Sequence, residues 1–210
     1  MRENIDLKTV EKKTFKTSGE DGILDINLAI LFIGMGFFGV FWEFFPLPWN
    51  IIILYSIILG ITFPFFYFAK KYIAAPRTGI VKISVKTSPT KKRLLLFLII
   101  NVIITFIMFI FTLIRPFGIQ TDPILTMLFI GLLFITLPIS GLAYFLKTPR
   151  LYITAIVMGL SLLVSEIIHP FIGSPFHFAI AFSISGSIIL IMGVIVLIRF
   201  LRKYPLPKEE

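Results

Sequence analysis

Residues 178–198 read FAIAFSISGSIILIMGVIVLI, a run of 21 residues without a charged side chain. A bilayer core needs about 20 apolar residues in helical form. Lipid offers no hydrogen-bond partner to a bare backbone, so a spanning segment must be a helix or part of a closed barrel. The run lacks the strict alternation of a barrel strand. We therefore interpret it as a transmembrane helix.

Five further stretches meet the same criterion, and the six together predict an all-α, polytopic transmembrane bundle. The predicted spans are 23–45, 49–69, 94–114, 124–146, 151–168 and 178–198. We expect residues 1–22 to form a polar cytoplasmic tail, because no basic stretch there leads straight into a short apolar core as in a signal peptide. Residues 201–210 are expected to form a second cytoplasmic tail.

The composition agrees with lipid as the main solvent. Of 210 residues, 57% are hydrophobic and 15% are charged, whereas about 25% are charged in a typical soluble domain. The absence of cysteine excludes disulfides and thiolate metal sites. In a membrane protein, the net charge of +9 indicates cytoplasmic loops and anionic lipid headgroups rather than nucleic acid.

The basic residues predict the orientation. In a six-span arrangement, 19 of the 20 Lys and Arg residues fall on one side, and only Arg115 falls on the other. Positive charge favours the cytoplasmic side of a membrane, so both termini are predicted to be cytoplasmic in the plasma membrane. Short outward connections then predict three hairpins: spans one and two, three and four, and five and six.

The longest connection, residues 70–93, is strongly basic. Residues 76–79 (PRTG) predict a turn, and residues 81–86 (VKISVK) alternate as a half-buried strand does. The basic side chains predict contact with anionic headgroups at about 1 kcal/mol each, although they could also act only in setting the topology. These residues are Lys70, Lys71, Arg77, Lys82, Lys86, Lys91, Lys92 and Arg93.

Two short cytoplasmic stretches carry a family resemblance. Pro76-Arg77-x-Gly79-x-Val81-Lys82 follows a transmembrane hairpin, and the chain ends in RFLRKYPLP over residues 199–207. Together they resemble a group of small prokaryotic multi-pass membrane proteins of unknown function. The resemblance implies a multi-pass membrane protein and supplies no activity.

Ionisable residues near membrane spans raise a functional hypothesis by default. Six lie at the predicted outer side, where they could surround one outward-facing cavity or be solvated separately at helix ends. They are Glu43, Arg115, Asp122, Glu166, His169 and His177.

The outer residues include weak candidates for a metal site. Glu166 and His169 are three positions apart, so they share a helix face, and His177 with Asp122 could complete a mononuclear site. A chance two-residue motif explains the same spacing. Deep in the third span, Asn101 is expected to bond to a neighbouring helix, with a substrate contact as the alternative. No cofactor is expected.

Two functions are compatible with these observations. The first is a non-enzymatic protein, either a small transporter or a subunit of a membrane complex, with a second copy or another membrane protein as partner. The second is a membrane-embedded enzyme that uses the outer Glu, His and Arg residues, with a metal as one option.

Overall fold

The computed structural model describes residues 21–41, 49–78, 89–114 and 122–205. These residues form six helices and contain no strand, which confirms the all-α prediction for this part of the chain. Helix α1 is Ile23–Phe41, α3 is Pro89–Ile114, α5 is Arg150–Ile172 and α6 is Phe176–Lys203. Helices α2 and α4 are each interrupted by a π-helical turn.

Each π turn ends two residues before a proline. Helix α2 is α-helical over Trp49–Phe68, continues as a π turn over Ala69–Ala74, and ends with Ala75–Thr78. In an α-helix the proline ring clashes with the carbonyl four residues earlier and removes one hydrogen bond. The wider π turn before Pro76 relieves this clash, so the chain stays helical through the proline.

Helix α4 repeats the arrangement, with α-helix over Pro123–Ile130, a π turn over Gly131–Thr136, and α-helix over Leu137–Leu146. Pro138 occupies the position that Pro76 has in α2. A π turn of this kind inside a helix commonly marks a local irregularity in packing.

The start of the basic connection differs from the prediction. Residues 75–78 are helical rather than part of a turn, and α3 begins at Pro89, before the predicted start of its span. Residues 81–86, expected to resemble a strand, lie outside the described residues. The helix continues past residue 70 because the π turn accommodates Pro76, an effect that the sequence pattern does not reveal.

Within the described residues, four helices are long and apolar enough to cross a membrane, which agrees with a membrane protein. They are Ile52–Arg77, Pro123–Leu146, Arg150–Ile172 and Phe176–Lys203, and Ile23–Phe38 is a shorter apolar helix. Their outward surfaces are covered with large apolar side chains; Phe63 is 68% exposed and Phe129 is 72% exposed. A soluble monomer rarely exposes so much contiguous apolar surface.

Each helix packs against the next one in the spatial order α2, α1, α6, α5, α4, α3. Helix α6 packs on both α1 and α5, and the Phe32 and Phe182 rings stack with centroids 4.5 Å apart. Glycines bring the backbones close: a Cβ at Gly193 would lie 2.9 Å from the Ile26 nitrogen. Close approach at small residues is the usual way in which membrane helices associate.

Candidate functional site

Two of the six outer candidates, Glu43 and Arg115, lie outside the described residues. Asp122 acts as the N-cap of α4: its Oδ1 accepts a hydrogen bond of 2.9 Å from the Ile124 backbone N–H, and Pro123 follows at the first helical position. Both features are typical of helix starts. The structure therefore gives Asp122 a capping role.

His169 and His177 are brought together where α5 ends and α6 begins. Their ring centroids are 4.6 Å apart and the rings are tilted by 59°. His177 is buried, and its Nδ1 lies 3.0 Å from the Gly173 carbonyl, an arrangement in which Nδ1–H donates. Gly173 ends α5 with a φ of 77°, which glycine adopts readily. This histidine end is the assembled part of the predicted outer site.

The described residues do not form the mononuclear metal site considered from the sequence, since no three His, Asp or Glu side chains among them form a group that could hold a metal ion. Glu166 is half-buried on α5, one turn before His169. The two histidines are thus a pair rather than a ligand set within this part of the chain.

Asn101 bonds differently from the expectation. Its Nδ2 donates to the Phe97 carbonyl at 3.0 Å, one turn earlier in the same helix. Helix α3 packs on α4 through Phe97, whose ring lies 5.7 Å from that of Phe145. In the described part of the chain, the Asn101 Nδ2 therefore bonds within its own helix rather than to a neighbouring one.

A cluster of buried charges lies at the opposite end of the helices, at the start of α1. Asp21 is 1% exposed; its Oδ1 accepts from the Ile23 N–H at 3.1 Å, and its Oδ2 pairs with Lys70 Nζ at 2.6 Å. A carboxylate here caps the helix and interacts favourably with the positive end of its dipole. The same side chain joins α1 to the π turn of α2.

The second pair joins α1 to α5. Asp25 is completely buried, and its Oδ2 lies 2.8 Å from Arg150 Nε, although the N–H is not aligned for a hydrogen bond along that line. Thr154 Oγ1 lies 3.5 Å from Asp25 Oδ1. Arg150 begins α5, where the dipole disfavours a cation, so Asp25 offsets an otherwise unfavourable charge.

Helix α6 completes this basic end, which we define as the start of α1, the end of α2, the start of α5 and the end of α6. A Cβ at Gly22, whose φ is 75°, would lie 2.6 Å from the Gly193 carbonyl. Phe200 packs with Ile23 and Ala74 in an apolar cluster beside the charges. The two ion pairs are therefore sealed from one side by close backbone packing.

Chemically, the buried pairs are suited to fastening helices. Asp21 and Asp25 each have their own cation, which comes from another helix, so neither of these two carboxylates is left as a free acid or base. The sequence pattern does not reveal this cluster, because the partners are far apart along the chain; Asp21 and Lys70 are separated by 49 positions. The signal available was two aspartates at an apolar helix start, which a membrane span tolerates only when they are paired.

The predicted lipid-contacting residues have mixed surroundings. Lys70 is paired with Asp21, and Arg77 Nη1 donates to the Ile73 carbonyl at 2.9 Å. Lys71 lies 5.3 Å from the centroid of the Tyr72 ring. Lys92 and Arg93 are exposed, whereas residues 82 and 86 lie outside the described residues.

The chain matches no protein-family model, no curated protein and no solved structure.

Proposed function

We propose that the chain is a plasma-membrane protein that crosses the bilayer six times with both ends in the cytoplasm. The four long apolar helices support this, as do the 26 residues of α3 and the apolar α1. The helix ends assigned to the cytoplasm from sequence lie together in the structure, at the basic end. This common location supports placing these ends on one face of the membrane, and the excess of basic residues supports that face as the cytoplasmic one.

The absence of cysteine allows a direct test of orientation. Single variants Ser174→Cys, at the histidine end, and Lys203→Cys, at the basic end, would be treated on intact cells with a membrane-impermeant maleimide. We expect labelling of the first variant only, with labelling of the second after permeabilisation. Labelling of both on intact cells, or of Lys203→Cys alone, would contradict the proposed topology.

Within this topology the protein acts without catalysis, as a subunit of a membrane complex. The observation that carries this proposal is that both buried carboxylates are ion-paired with cations of other helices. A general acid or base must reach a substrate, whereas Asp21 and Asp25 are 1% and 0% exposed. Their arrangement supports a role in holding a fixed helical surface.

A subunit role has more support than a transporter role. Thr62, Asn101 and Thr136 are polar residues well inside their helices, and each already donates a hydrogen bond to a backbone carbonyl. Transport sites usually lie near the midplane with groups available to the solute. Helix α2, in contrast, has an extensive exposed apolar side that includes Phe63 and Tyr67.

Photo-crosslinking in cells tests the subunit role. A photoreactive amino acid replaces Phe63, and the control replaces the buried Phe32. We expect a discrete protein adduct from position 63 and none from position 32; an adduct of twice the chain mass would identify a second copy as the partner. Absence of any protein adduct at position 63, with solute flux in liposomes, would favour a transporter.

The contact between His169 and His177 favours one alternative, an enzyme at the histidine end. Glu43 and Arg115 would then have to join them. Metal analysis of the purified protein and of a His169→Ala variant tests this function. Stoichiometric metal that is lost in the variant would support it, whereas metal-free parent protein would argue against metal-assisted hydrolysis.

A further inference from the structure

A cavity of about 520 Å³ opens at the basic end, between α3 and the connection from α4 to α5. Arg93 of α3 and Lys147 of the connection both line it, and both are exposed. Among the described residues, none of those that line the cavity is acidic. Two cations that face the same space without a carboxylate partner in the lining favour an anionic ligand.

A buried hydroxyl adds a second polar group. Thr148 lines the cavity and is only 4% exposed, and its Oγ1 has no hydrogen-bond partner among the described residues. Leaving a buried polar group unsatisfied costs free energy. Because the Oγ1 itself has almost no exposed surface, the Thr148 side chain has to rotate toward the cavity before a ligand can accept its hydrogen bond and remove that cost.

Lys147 is held in an unusual backbone conformation. It follows the last residue of α4 with φ 55° and ψ 37°, a left-handed conformation that is usually left to glycine or asparagine at a helix end. Such strained residues often occur at ligand-binding positions. At this helix end, the position that glycine usually occupies is taken by a cationic residue next to Thr148.

The surroundings suit a lipid. Tyr144 and Tyr152 line the same cavity and are 70% and 39% exposed, and tyrosine is enriched where membrane proteins meet headgroups. Beyond Arg93, the exposed side chains Leu96 and Ile100 continue along the same face of α3, because residues three and seven positions apart share a helix face. This face offers apolar surface to an acyl chain.

We propose that this cavity binds the phosphate of an anionic phospholipid headgroup. Arg93 and Lys147 neutralise the phosphate, Thr148 donates to one of its oxygens, and the acyl chains lie along α3. Because Arg93 belongs to α3 and Lys147 follows α4, the bound lipid fastens α3 to the rest of the bundle. The inference rests on the proposed membrane location, but not on which face of the membrane the basic end occupies.

Thermal unfolding of the full chain in a neutral detergent tests the proposal. Phosphatidylglycerol, phosphatidylcholine and inorganic phosphate are titrated separately. We expect phosphatidylglycerol to raise the melting temperature with saturation, and the other two to have little effect. If inorganic phosphate alone produced the full shift, the ligand would be a soluble anion and the lipid assignment would be wrong.

Variants locate the binding at the cavity. Arg93→Gln and Lys147→Gln should each weaken apparent phosphatidylglycerol affinity roughly fivefold, the equivalent of about 1 kcal/mol per lost cation. Lys203→Gln is the matched control, since it removes an exposed cation at the same end but outside the cavity. An equal loss of affinity in the control would mean diffuse charge attraction and would overturn the proposal.

Thr148→Val separates binding from folding. It removes the unsatisfied hydroxyl with little change in shape, so the lipid-free protein should be at least as stable as the parent while its phosphatidylglycerol affinity falls. Unchanged affinity would exclude Thr148 from the site. A reversed topology in the maleimide experiment would leave all of these binding results intact, so the two proposals can fail separately.

Discussion

The ion pair between Asp25 and Arg150 is the residue-level feature on which the basic end depends. Both side chains come from helix starts, and Asp25 has no exposed surface. Removing one member of a buried pair leaves the other charge uncompensated, whereas removing both avoids that cost. The contribution of the pair is therefore measurable by a double-mutant cycle.

We expect Arg150→Gln to lower the free energy of unfolding by about 3 kcal/mol, because it leaves the Asp25 carboxylate buried without its cation. The double variant Asp25→Asn/Arg150→Gln should lose less than the sum of the two single variants. Denaturant unfolding in detergent measures all four species. Arg199→Gln, at an exposed position on α6, is the control; additive single effects would show that the pair is not coupled.

The contact between Gly131 and Gly159 is the second critical feature at this scale. A Cβ on Gly159 would lie 2.9 Å from the Gly131 carbonyl, and Thr136 is closer still. Thr136 also donates from α4 to the Ala155 carbonyl of α5 at 3.1 Å. A methyl group has no room here unless α4 and α5 separate.

Gly159→Ala should therefore destabilise the protein by about 1–3 kcal/mol, the usual cost of overpacking. Gly60→Ala is the matched control because nothing lies within 4 Å of a Cβ at Gly60; it should be neutral or stabilising by up to about 1 kcal/mol. Thermal unfolding of both variants provides the comparison. Equal stabilities would contradict the close packing of α4 on α5.

At the scale of elements, the end of α4 combines a strained backbone with the proposed lipid site. The αL residue at a helix end is most often glycine, and a side chain in this conformation costs roughly 1 kcal/mol. The turn through Lys147 is short, since Leu151 N–H already donates to the Thr148 carbonyl. A substitution at Lys147 can therefore change both the backbone strain and the positive charge that the proposed lipid site uses.

Lys147→Gly should raise the free energy of unfolding of the lipid-free protein by about 1 kcal/mol while weakening phosphatidylglycerol binding. Lys147→Ala removes the same charge but keeps a Cβ, so it should weaken binding without the gain in stability. Chemical unfolding in neutral detergent distinguishes the two variants. A gain in stability in both variants would indicate that Lys147 destabilises the protein through charge repulsion rather than through backbone strain.

On the scale of the whole molecule, α6 is the element that joins the halves of the chain. Helices α1 and α2 contact the remainder mainly where α1 packs along α6, with glycines on both sides of the interface. Membrane helices can form independently and then associate through such packing. The segment between Thr78 and Pro89 is therefore a suitable place to divide the chain.

Two fragments, 1–83 and 84–210, should associate when coexpressed, so that a tag on one retains the other in detergent. Gly193→Val should reduce retention severalfold, because its Cβ would press on Ile26 at 2.8 Å. Gly60→Val, in open space, should leave retention unchanged. Equal retention with both variants would mean that the packing of α1 on α6 does not hold the halves together.

The apolar runs by themselves determined that the chain is helical and where most helices lie, because a helix in lipid must satisfy its own backbone over a length that the bilayer sets. Pro138 and Pro76 show the limit of local pattern: each follows a π turn that keeps the helix continuous. The sequence also placed His169 and His177 among the six candidates at one end, whereas their ring contact is known only from the structure.

Only the tertiary structure paired Asp21 with Lys70 and Asp25 with Arg150, and only it brought Arg93 and Lys147 to the same cavity. An ion pair requires side chains within about 4 Å, and for residues on separate helices that distance depends on which helices pack together and at what depth. Hydrophobic runs do not encode that choice, because lipid and neighbouring helices are almost equally apolar to them. The glycine contacts that bring α1 against α6 and α4 against α5 contribute to it.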